Sequence, residues 1–318
     1  LILVMFLVRT PDHINLIPIF WFSGVATSTL FLLLVYMTRF GKLKISFRLD
    51  LWQGLLRLAL PVGLGTICAE IARNFPIVTI GFIKDDISVG NYSAAQKLVY
   101  LALIIDRIFF VVLLPAATRY FNENIEKLKD LLKRSARVIT MLIIPIAFGC
   151  TVLAPRLITL VYGRGYEKST TVFQILIWFF VLTIFNTIYC CGLIVTNQEK
   201  RYGINILLGT ILHIVANPIM TLLWGINGTA SSVIISEIFT LGLMYWRFRA
   251  TIHLKIWFYI PKPLLASLAM AFLIIKLTPN SLPLGFLTGL IFYTVVLYVI
   301  KGITNKDIKF LFKIFSLE

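Results

Sequence analysis

Two consecutive apolar stretches decide the fold: LWQGLLRLALPVGLGTICAEIARNFPIVTIGFI at residues 51–83 and SVGNYSAAQKLVYLALIIDRIFFVVLLPAAT at residues 88–118. Six charged residues lie inside them: Arg57 near the start of the first stretch, and Glu70, Arg73, Lys97, Asp106 and Arg107 deeper in the two stretches. One charge at the centre of a membrane helix costs about 2.5–3.5 kcal/mol on insertion scales. Several charges facing lipid would cost on the order of 10 kcal/mol, so we expect them to face protein or a hydrated cavity.

The composition is that of a membrane protein with several spanning segments. Hydrophobic residues make up 59% of the 318 and charged residues 14%, with a mean hydropathy of +0.91. Soluble domains have about half apolar and about a quarter charged residues. The sequence therefore predicts an all-α, polytopic membrane helix bundle.

Nine apolar segments are predicted to span the bilayer, after a shorter apolar run at Leu1–Val8. They are Ile14–Met37, Trp52–Ile83, Tyr92–Ala117, Val138–Val161, Val172–Thr196, Ile204–Trp224, Thr229–Phe248, Leu264–Leu277 and Leu284–Ile300. The first run is too short to cross a core of about 30 Å, and it lacks the charged flank and cleavage site of a signal peptide. We interpret the chain as a fragment whose first helices are missing.

Basic residues alternate sharply between successive loops. Twenty lie in one set of loops and five in the other: Arg9, Lys84, Arg164, Lys168 and Lys276. Cytoplasmic loops of membrane proteins are enriched in Lys and Arg. This pattern predicts a multi-pass protein of the cell (inner) membrane with a cytoplasmic C-terminus, and it explains most of the net charge of +16 without a nucleic-acid partner.

Each of the two charged segments has one polar helical face. At about 100° per residue, one arc collects Gly63, Thr66, Glu70, Arg73 and Asn74, and the next collects Ser93, Gln96, Lys97, Tyr100 and Arg107. Asp106 falls outside the second arc and is a weaker candidate. We expect the two faces to line one hydrated path for a polar substrate; alternatively, Glu70 and Arg73 only pair with each other inside the bundle.

Two further polar residues are candidates for ion or proton coupling. His213 belongs to a stripe spaced by four, with Asn205, Gly209 and Asn217, and Glu237 lies near the middle of its span. Intramembrane ionisable groups often relay protons or bind cations. A hydrogen bond between packed helices is the alternative role for both residues.

Nothing in the sequence indicates an enzyme. It contains no nucleophile elbow, P-loop, zinc-protease or dinucleotide-binding motif. The four cysteines lack the spacing of a metal site. We therefore expect neither a cofactor nor a metal.

Four motifs carry a resemblance to a known family. They are VGNYSAAQKL (Val89–Leu98), LVYGRGY (Leu160–Tyr166), NQEKRYGINILLG (Asn197–Gly209) and WGINGTASSVIISE (Trp224–Glu237). In order and spacing they resemble the polysaccharide or O-antigen flippases of the multidrug/oligosaccharidyl-lipid/polysaccharide (MOP) exporter superfamily. Members have two six-helix lobes, often followed by two extra helices.

The resemblance implies a domain organisation. Residues 1–40 would end the first lobe, residues 41–49 would form a cytoplasmic linker, and residues 50–248 would form the six-helix second lobe. Residues 249–318 would supply two additional helices and a basic cytoplasmic tail. About four helices of the first lobe would be absent.

It also implies a function, namely flipping an undecaprenyl-diphosphate-linked oligosaccharide to the outer leaflet by alternating access. Arg73, Lys97 and Arg107 would hold the diphosphate, Glu70 would orient Arg73, and Asn74 and Tyr100 would complete the binding face. A polysaccharide polymerase and glycosyltransferases are the expected protein partners. The alternatives are a cation-coupled multidrug exporter of the same superfamily and a membrane-embedded glycan-processing enzyme.

Overall fold

The computed structural model describes residues 16–41, 70–277, 282–300 and 302, and these residues form helices joined by short turns. The helices are α1 (Leu16–Phe40), α2 (residues 70–83), α3 (Asp86–Glu123), α4 (Ile125–Tyr162), α5 (Lys168–Val195), α6 (Glu199–Phe248), a short 3-10 helix (Ile256–Tyr259), α7 (Pro261–Leu277) and α8 (Leu282–Val299). The predicted all-α bundle is confirmed.

Within the described residues, five helices are long and apolar enough to cross a membrane: α1, α3, α4, α5 and α6. Of the predicted span Trp52–Ile83, only residues 70–83 are described, and they are helical. The run Leu1–Val8, most of the predicted linker 41–49 and nearly all of the predicted tail lie outside the described residues.

The chain divides into two compact units, Leu1–Pro61 and Val62–Glu318. In the first unit the described helix is α1, whose apolar side chains are exposed, Trp21 at 77% and Phe22 at 73%. The division of the chain into lobes, linker and extra helices remains a prediction.

Helix α5 is the centre of the second unit. It packs against α3, α4 and α6, and 72% of its most apolar 18-residue stretch is buried. Apolar residues occupy all its faces, as expected for a helix surrounded by others. Phe180, Ile184 and Ile188 are among its fully buried side chains.

Helices α7 and α8 form a smaller apolar cluster on the side of α4. Met270 of α7 and Tyr293 of α8 are buried there with Leu153 of α4. The Tyr293 hydroxyl donates a hydrogen bond to the Met141 carbonyl at 2.7 Å. This bond gives the phenol a partner in an otherwise apolar contact.

Very short connections join α3 to the helices before and after it: two residues at its start and one at its end. Asp85 caps its start, where the carboxylate accepts a hydrogen bond from the Ser88 N–H at 2.8 Å. Hydrogen bonds from the Ser88 side chain and backbone lower the pKa of the Asp85 carboxyl. Asn124 alone separates α3 from α4, and its side chain accepts from the Glu126 N–H at 2.9 Å.

Helix α6 is two helices joined at Gly225. This residue has φ 60° and ψ −143°, a conformation that glycine adopts without a side-chain clash. The break separates the two predicted spans Ile204–Trp224 and Thr229–Phe248. Just beyond it, Gly228 packs so closely that a Cβ atom there would overlap the Met220 carbonyl.

The turns meet at the two ends of the second unit as the charge alternation predicts. At the basic end, Gln198 Nε2 donates to Thr251 Oγ1 at 2.8 Å, and Arg137 Nη2 donates to the Gly302 carbonyl at 3.1 Å. At the opposite end, the Lys84 side chain lies beside Gly225. The orientation of these ends in the cell remains a prediction.

The close approach at Gly228 gives a stability prediction. Gly228→Ala should lower the free energy of unfolding by about 1–3 kcal/mol, because a backbone carbonyl must move to admit the methyl group. Thermal unfolding of the purified full-length protein in detergent measures this change. Gly242→Ala on the same helix is the matched control, since a Cβ atom there meets nothing within 4 Å. Equal melting temperatures for the two variants would contradict the prediction.

Candidate functional site

Polar side chains from α2, α3 and both halves of α6 line one cavity of about 300 Å³ in the second unit, and α5 adds apolar wall. The polar lining residues are Arg73, Tyr92, Gln96, Tyr100, Thr210, His213, Ser236, Glu237 and Thr240. Four of the predicted site residues, Arg73, Tyr100, His213 and Glu237, are therefore brought together. The sequence assigned them to two separate roles, and the structure places them around one space.

Arg73 forms an ion pair at the edge of this cavity. Its Nη1 atom lies 3.2 Å from Glu70 Oε1, and the two side chains are 43% and 51% exposed. The guanidinium carbon lies 6.0 Å from the Tyr100 ring centroid, within cation–π range. The pair thus forms, but about half of each side chain is accessible, so both charges remain available to a third group.

Two amides support the pair. Asn74 Nδ2 donates to the Glu70 carbonyl at 2.9 Å and reaches Glu70 Oε2 at 3.4 Å. Gln96 Nε2 donates to the Arg73 carbonyl at 3.2 Å and to the Tyr100 hydroxyl at 2.9 Å. The buried Gln96 amide therefore links α2 to α3 next to Arg73.

His213 lies both in the cavity wall and in a packing stripe. Its stripe neighbour Asn217 donates to Ser232 Oγ at 2.7 Å, across the two halves of α6. His213 contacts the edge of the Phe75 ring, with centroids 6.3 Å apart. The hydrogen bond between the two halves of α6 is thus made by Asn217, while the His213 ring packs against Phe75 and borders the cavity.

Two buried polar atoms in the cavity wall lack a hydrogen-bond partner among the described residues: His213 Nε2 and the Tyr92 hydroxyl. Their residues are 6% and 0% exposed. Buried polar atoms usually bind protein or ordered water, because leaving them unpaired costs about 1–3 kcal/mol. The wall of the cavity is mainly apolar, but its polar groups and its volume suffice to hold several water molecules or a small polar guest.

Glu237 is held by α5. Its Oε1 atom accepts a hydrogen bond from Asn186 Nδ2 at 2.6 Å and one from Thr183 Oγ1 at 3.4 Å. Its side chain also borders the cavity. Glu237 is therefore bonded to a neighbouring helix and belongs to the wall of the cavity.

Lys97 and Arg107 lie outside the cavity. Both are exposed on α3, on the same helical arc as Tyr100. Glu70 and Asn74 likewise stand beside the cavity rather than in its wall. Of the three predicted substrate-binding cations, the structure brings only Arg73 to the cavity and leaves the other two on the outer surface of α3.

Comparisons with known proteins agree with this fold. The profile of a family described as "Polysaccharide biosynthesis protein" matches residues 20–171. The fold is similar to that of "Lipid II flippase MurJ, inward closed conformation", with a TM-score of 0.71 and 15% identity over 81% of this chain and 56% of that one. These matches support the resemblance to the polysaccharide flippases of the MOP exporter superfamily.

A curated relative of this chain is the "Probable low-salt glycan biosynthesis flippase Agl15" of Haloferax volcanii. It is 21% identical over 161 residues, which are 50% of this chain and 34% of Agl15. The chain thus spans about a third of that relative's length. The family resemblance inferred from the four motifs is confirmed.

Asp106, which the helical arcs leave off the polar face, also lies outside the cavity wall and bonds to α5 instead. Its Oδ1 atom accepts a hydrogen bond from Thr187 Oγ1 at 2.6 Å. Thr187 follows Asn186, the partner of Glu237, so consecutive residues of α5 bind carboxylates from α3 and α6. The signal in the sequence was the Asn-Thr pair inside an apolar helix, because a buried polar pair needs partners on neighbouring helices.

The Asn186–Glu237 bond should show measurable coupling. In a double-mutant cycle with Asn186→Ala and Glu237→Ala, we expect a coupling energy of about 1 kcal/mol, typical of polar contacts between membrane helices. Unfolding of the full-length protein in mixed micelles measures this coupling energy. The exposed Arg119–Glu123 pair, at 3.9 Å, is the control and should couple near zero. A cycle that closes additively at 186 and 237 would show that the bond contributes nothing.

Proposed function

We propose that this chain forms the second lobe and the extra helices of a flippase for an undecaprenyl-diphosphate-linked oligosaccharide, working by alternating access in surface-polysaccharide synthesis. The named flippase activities of Agl15 and MurJ support this function. The structural observation that carries it is the half-exposed Glu70–Arg73 pair at the edge of a polar cavity inside apolar helices. A glycosyltransferase supplies such a substrate and a polymerase consumes it, so both are proposed partners.

The charges fit a diphosphate headgroup. Arg73, Lys97 and Arg107 are all exposed, and their helices are consecutive. Arginine can bind two phosphate oxygens at once and lysine supplies a point charge, so the three cations can share a doubly charged group. Glu70 competes with the headgroup for Arg73, which limits the affinity and allows release.

The oligosaccharide itself passes outside the small cavity. A volume of about 300 Å³ holds several waters or one cation, whereas an oligosaccharide needs a far larger space. We therefore assign the path of the glycan to the exposed polar faces of α2 and α3. Asn74 and Tyr100 would contact it beside Arg73.

The cavity is assigned to coupling. Glu237 can bind a proton or a cation on its cavity side, and His213 offers a second titratable group in the same wall. Because Glu237 is bonded to Asn186 of α5, a change in its charge alters the contact between α5 and α6. Binding of a proton or a cation at the cavity would act on alternating access through this contact between α5 and α6.

A cation-coupled drug exporter is the second candidate, and the Glu237 carboxylate in the cavity is the observation that favours it. Such an exporter would bind organic cations, which the exposed Arg73 at the edge of the cavity disfavours by charge repulsion. Drug accumulation in cells with and without the full-length gene distinguishes the two functions.

The substrate role of Arg73 is tested by replacement. Arg73→Ala in the full-length protein should reduce polysaccharide export at least about tenfold, because a charge-assisted hydrogen bond contributes about 1.5–3 kcal/mol. Arg73→Lys should retain part of the activity, and Lys84→Ala, an exposed cation at the opposite end, should retain all of it. Surface polysaccharide and accumulated lipid-linked oligosaccharide are the readouts. Normal export by Arg73→Ala at equal membrane levels would remove Arg73 from the path.

The coupling role of Glu237 has a separate test. Glu237→Gln preserves side-chain size and an oxygen that accepts the Asn186 hydrogen bond, but it removes the charge. We expect flipping in reconstituted vesicles to lose its response to an imposed proton or sodium gradient. His213→Gln should change that response less, since His213 also packs between helices. An unchanged gradient response in Glu237→Gln would exclude this carboxylate from coupling.

A further inference from the structure

The loop between α6 and α7 has an alternating pattern of burial. Ile252, Leu254 and Ile256 are 3%, 1% and 1% exposed, whereas Thr251, His253 and Lys255 between them are exposed. An extended segment with this period has one face in the core and one face outward. The outward face is therefore fixed by the burial of the inward one.

Hydrogen bonds hold this loop to the rest of the bundle. The Tyr189 hydroxyl of α5 donates to the Leu254 carbonyl at 3.1 Å, and Gln198 Nε2 donates to Thr251 Oγ1 at 2.8 Å. The Trp257 ring meets the Tyr245 ring edge-on, with centroids 6.4 Å apart. These hydrogen bonds and the ring contact hold the loop against the helix bundle.

Two large apolar side chains stand exposed at the end of the loop. Trp257 is 48% exposed and Phe258 is 77% exposed, in the 3-10 helix immediately before α7 begins at Pro261. Aromatic residues at the ends of membrane helices concentrate at the boundary between headgroups and acyl chains. The position of this pair, at the start of an apolar helix, matches that depth.

The same loop is strongly basic. Residues 247–262 contain Arg247, Arg249, Lys255 and Lys262 and no acidic residue. Arg249 and Lys255 are exposed. Each basic side chain near a membrane surface contributes about 1 kcal/mol of attraction to anionic lipid. Aromatic insertion combined with basic charge is the usual combination for binding at an anionic interface.

We propose that this basic aromatic loop binds the headgroup of an anionic bilayer phospholipid. Trp257 and Phe258 enter the acyl boundary, and Arg249 and Lys255 contact the phosphate. A zwitterionic headgroup would leave the cations without a net counter-charge, so the site discriminates by charge. The inference uses the proposed orientation of the basic end toward the cytoplasmic leaflet but does not depend on flipping activity.

The test measures lipid binding by the purified full-length protein. Native mass spectrometry counts bound phosphatidylglycerol and phosphatidylcholine during titration, for wild type, Arg249→Gln/Lys255→Gln and the control Lys84→Gln/Arg164→Gln. The control removes two exposed cations at the opposite end. We expect phosphatidylglycerol to bind the 249/255 variant about thirtyfold more weakly, with the control unchanged.

Three outcomes would overturn the proposal: phosphatidylglycerol binding within twofold of wild type, an equal loss in the control, or equal wild-type affinity for the two lipids. Melting temperatures of all three proteins in zwitterionic micelles confirm that folding is intact. A Trp257→Ala/Phe258→Ala variant, which keeps all charges, should bind both lipids more weakly. Unchanged binding by this variant would remove the aromatic pair from the site. Because the readout is binding, a failed flippase assay leaves the result intact.

Discussion

The second unit depends on how α5 binds polar groups in an apolar environment. Asn186 and Thr187 each hold a carboxylate at 2.6 Å, one from α6 and one from α3. An unpaired carboxylate inside a bundle costs several kcal/mol, so each bond specifies which face of the neighbouring helix meets α5. Apolar packing alone would tolerate several rotations of these helices, because lipid and leucine are similarly apolar. Two adjacent polar residues thus set the orientation of the two helices that line the cavity.

The Glu70–Arg73 pair follows the opposite rule. It lies at the edge of the cavity, about half accessible, where the cost of a charge is reduced by contact with a polar space. Its energy is correspondingly small and easily exchanged, since exposed ion pairs contribute about 0–1 kcal/mol. Inside the bundle the carboxylates have strong fixed partners, and at its edge the cation has a weak one. This difference is the physical basis for separating the proposed coupling site from the proposed substrate site.

Hydropathy and charge alternation predicted much of the fold. Apolar segments of bilayer length predicted the positions of the long helices. The alternation of basic loops predicted that the loops containing Gln198 and Thr251 share one end, and the structure joins these two residues by a hydrogen bond. The helical arcs placed Arg73 and Tyr100 together correctly. They did not separate Tyr100 from Lys97, because an arc about 100° wide includes positions at its edge that face outward.

The sequence alone could not predict contacts between segments that are far apart along the chain. The partners of Asp106 and Glu237 lie 81 and 51 residues away, on a helix whose own periodicity carries no information about its neighbours. The cavity likewise combines α2 with both halves of α6, which no single-helix pattern specifies. The sequence predicted only that the loop after α6 is basic. Its alternating burial could not be predicted, because this burial depends on which residues pack beneath the loop.

The single-residue junction at Asn124 has a mechanical consequence. Helices α3 and α4 each contain 38 residues, so each is about 57 Å long at about 1.5 Å per residue. Because one residue joins them, neither helix can shift along its axis without moving the other. Together they form a two-armed lever with its pivot at the basic end, and a swing of about 5° there displaces the far tips by about 5 Å, roughly one helical turn.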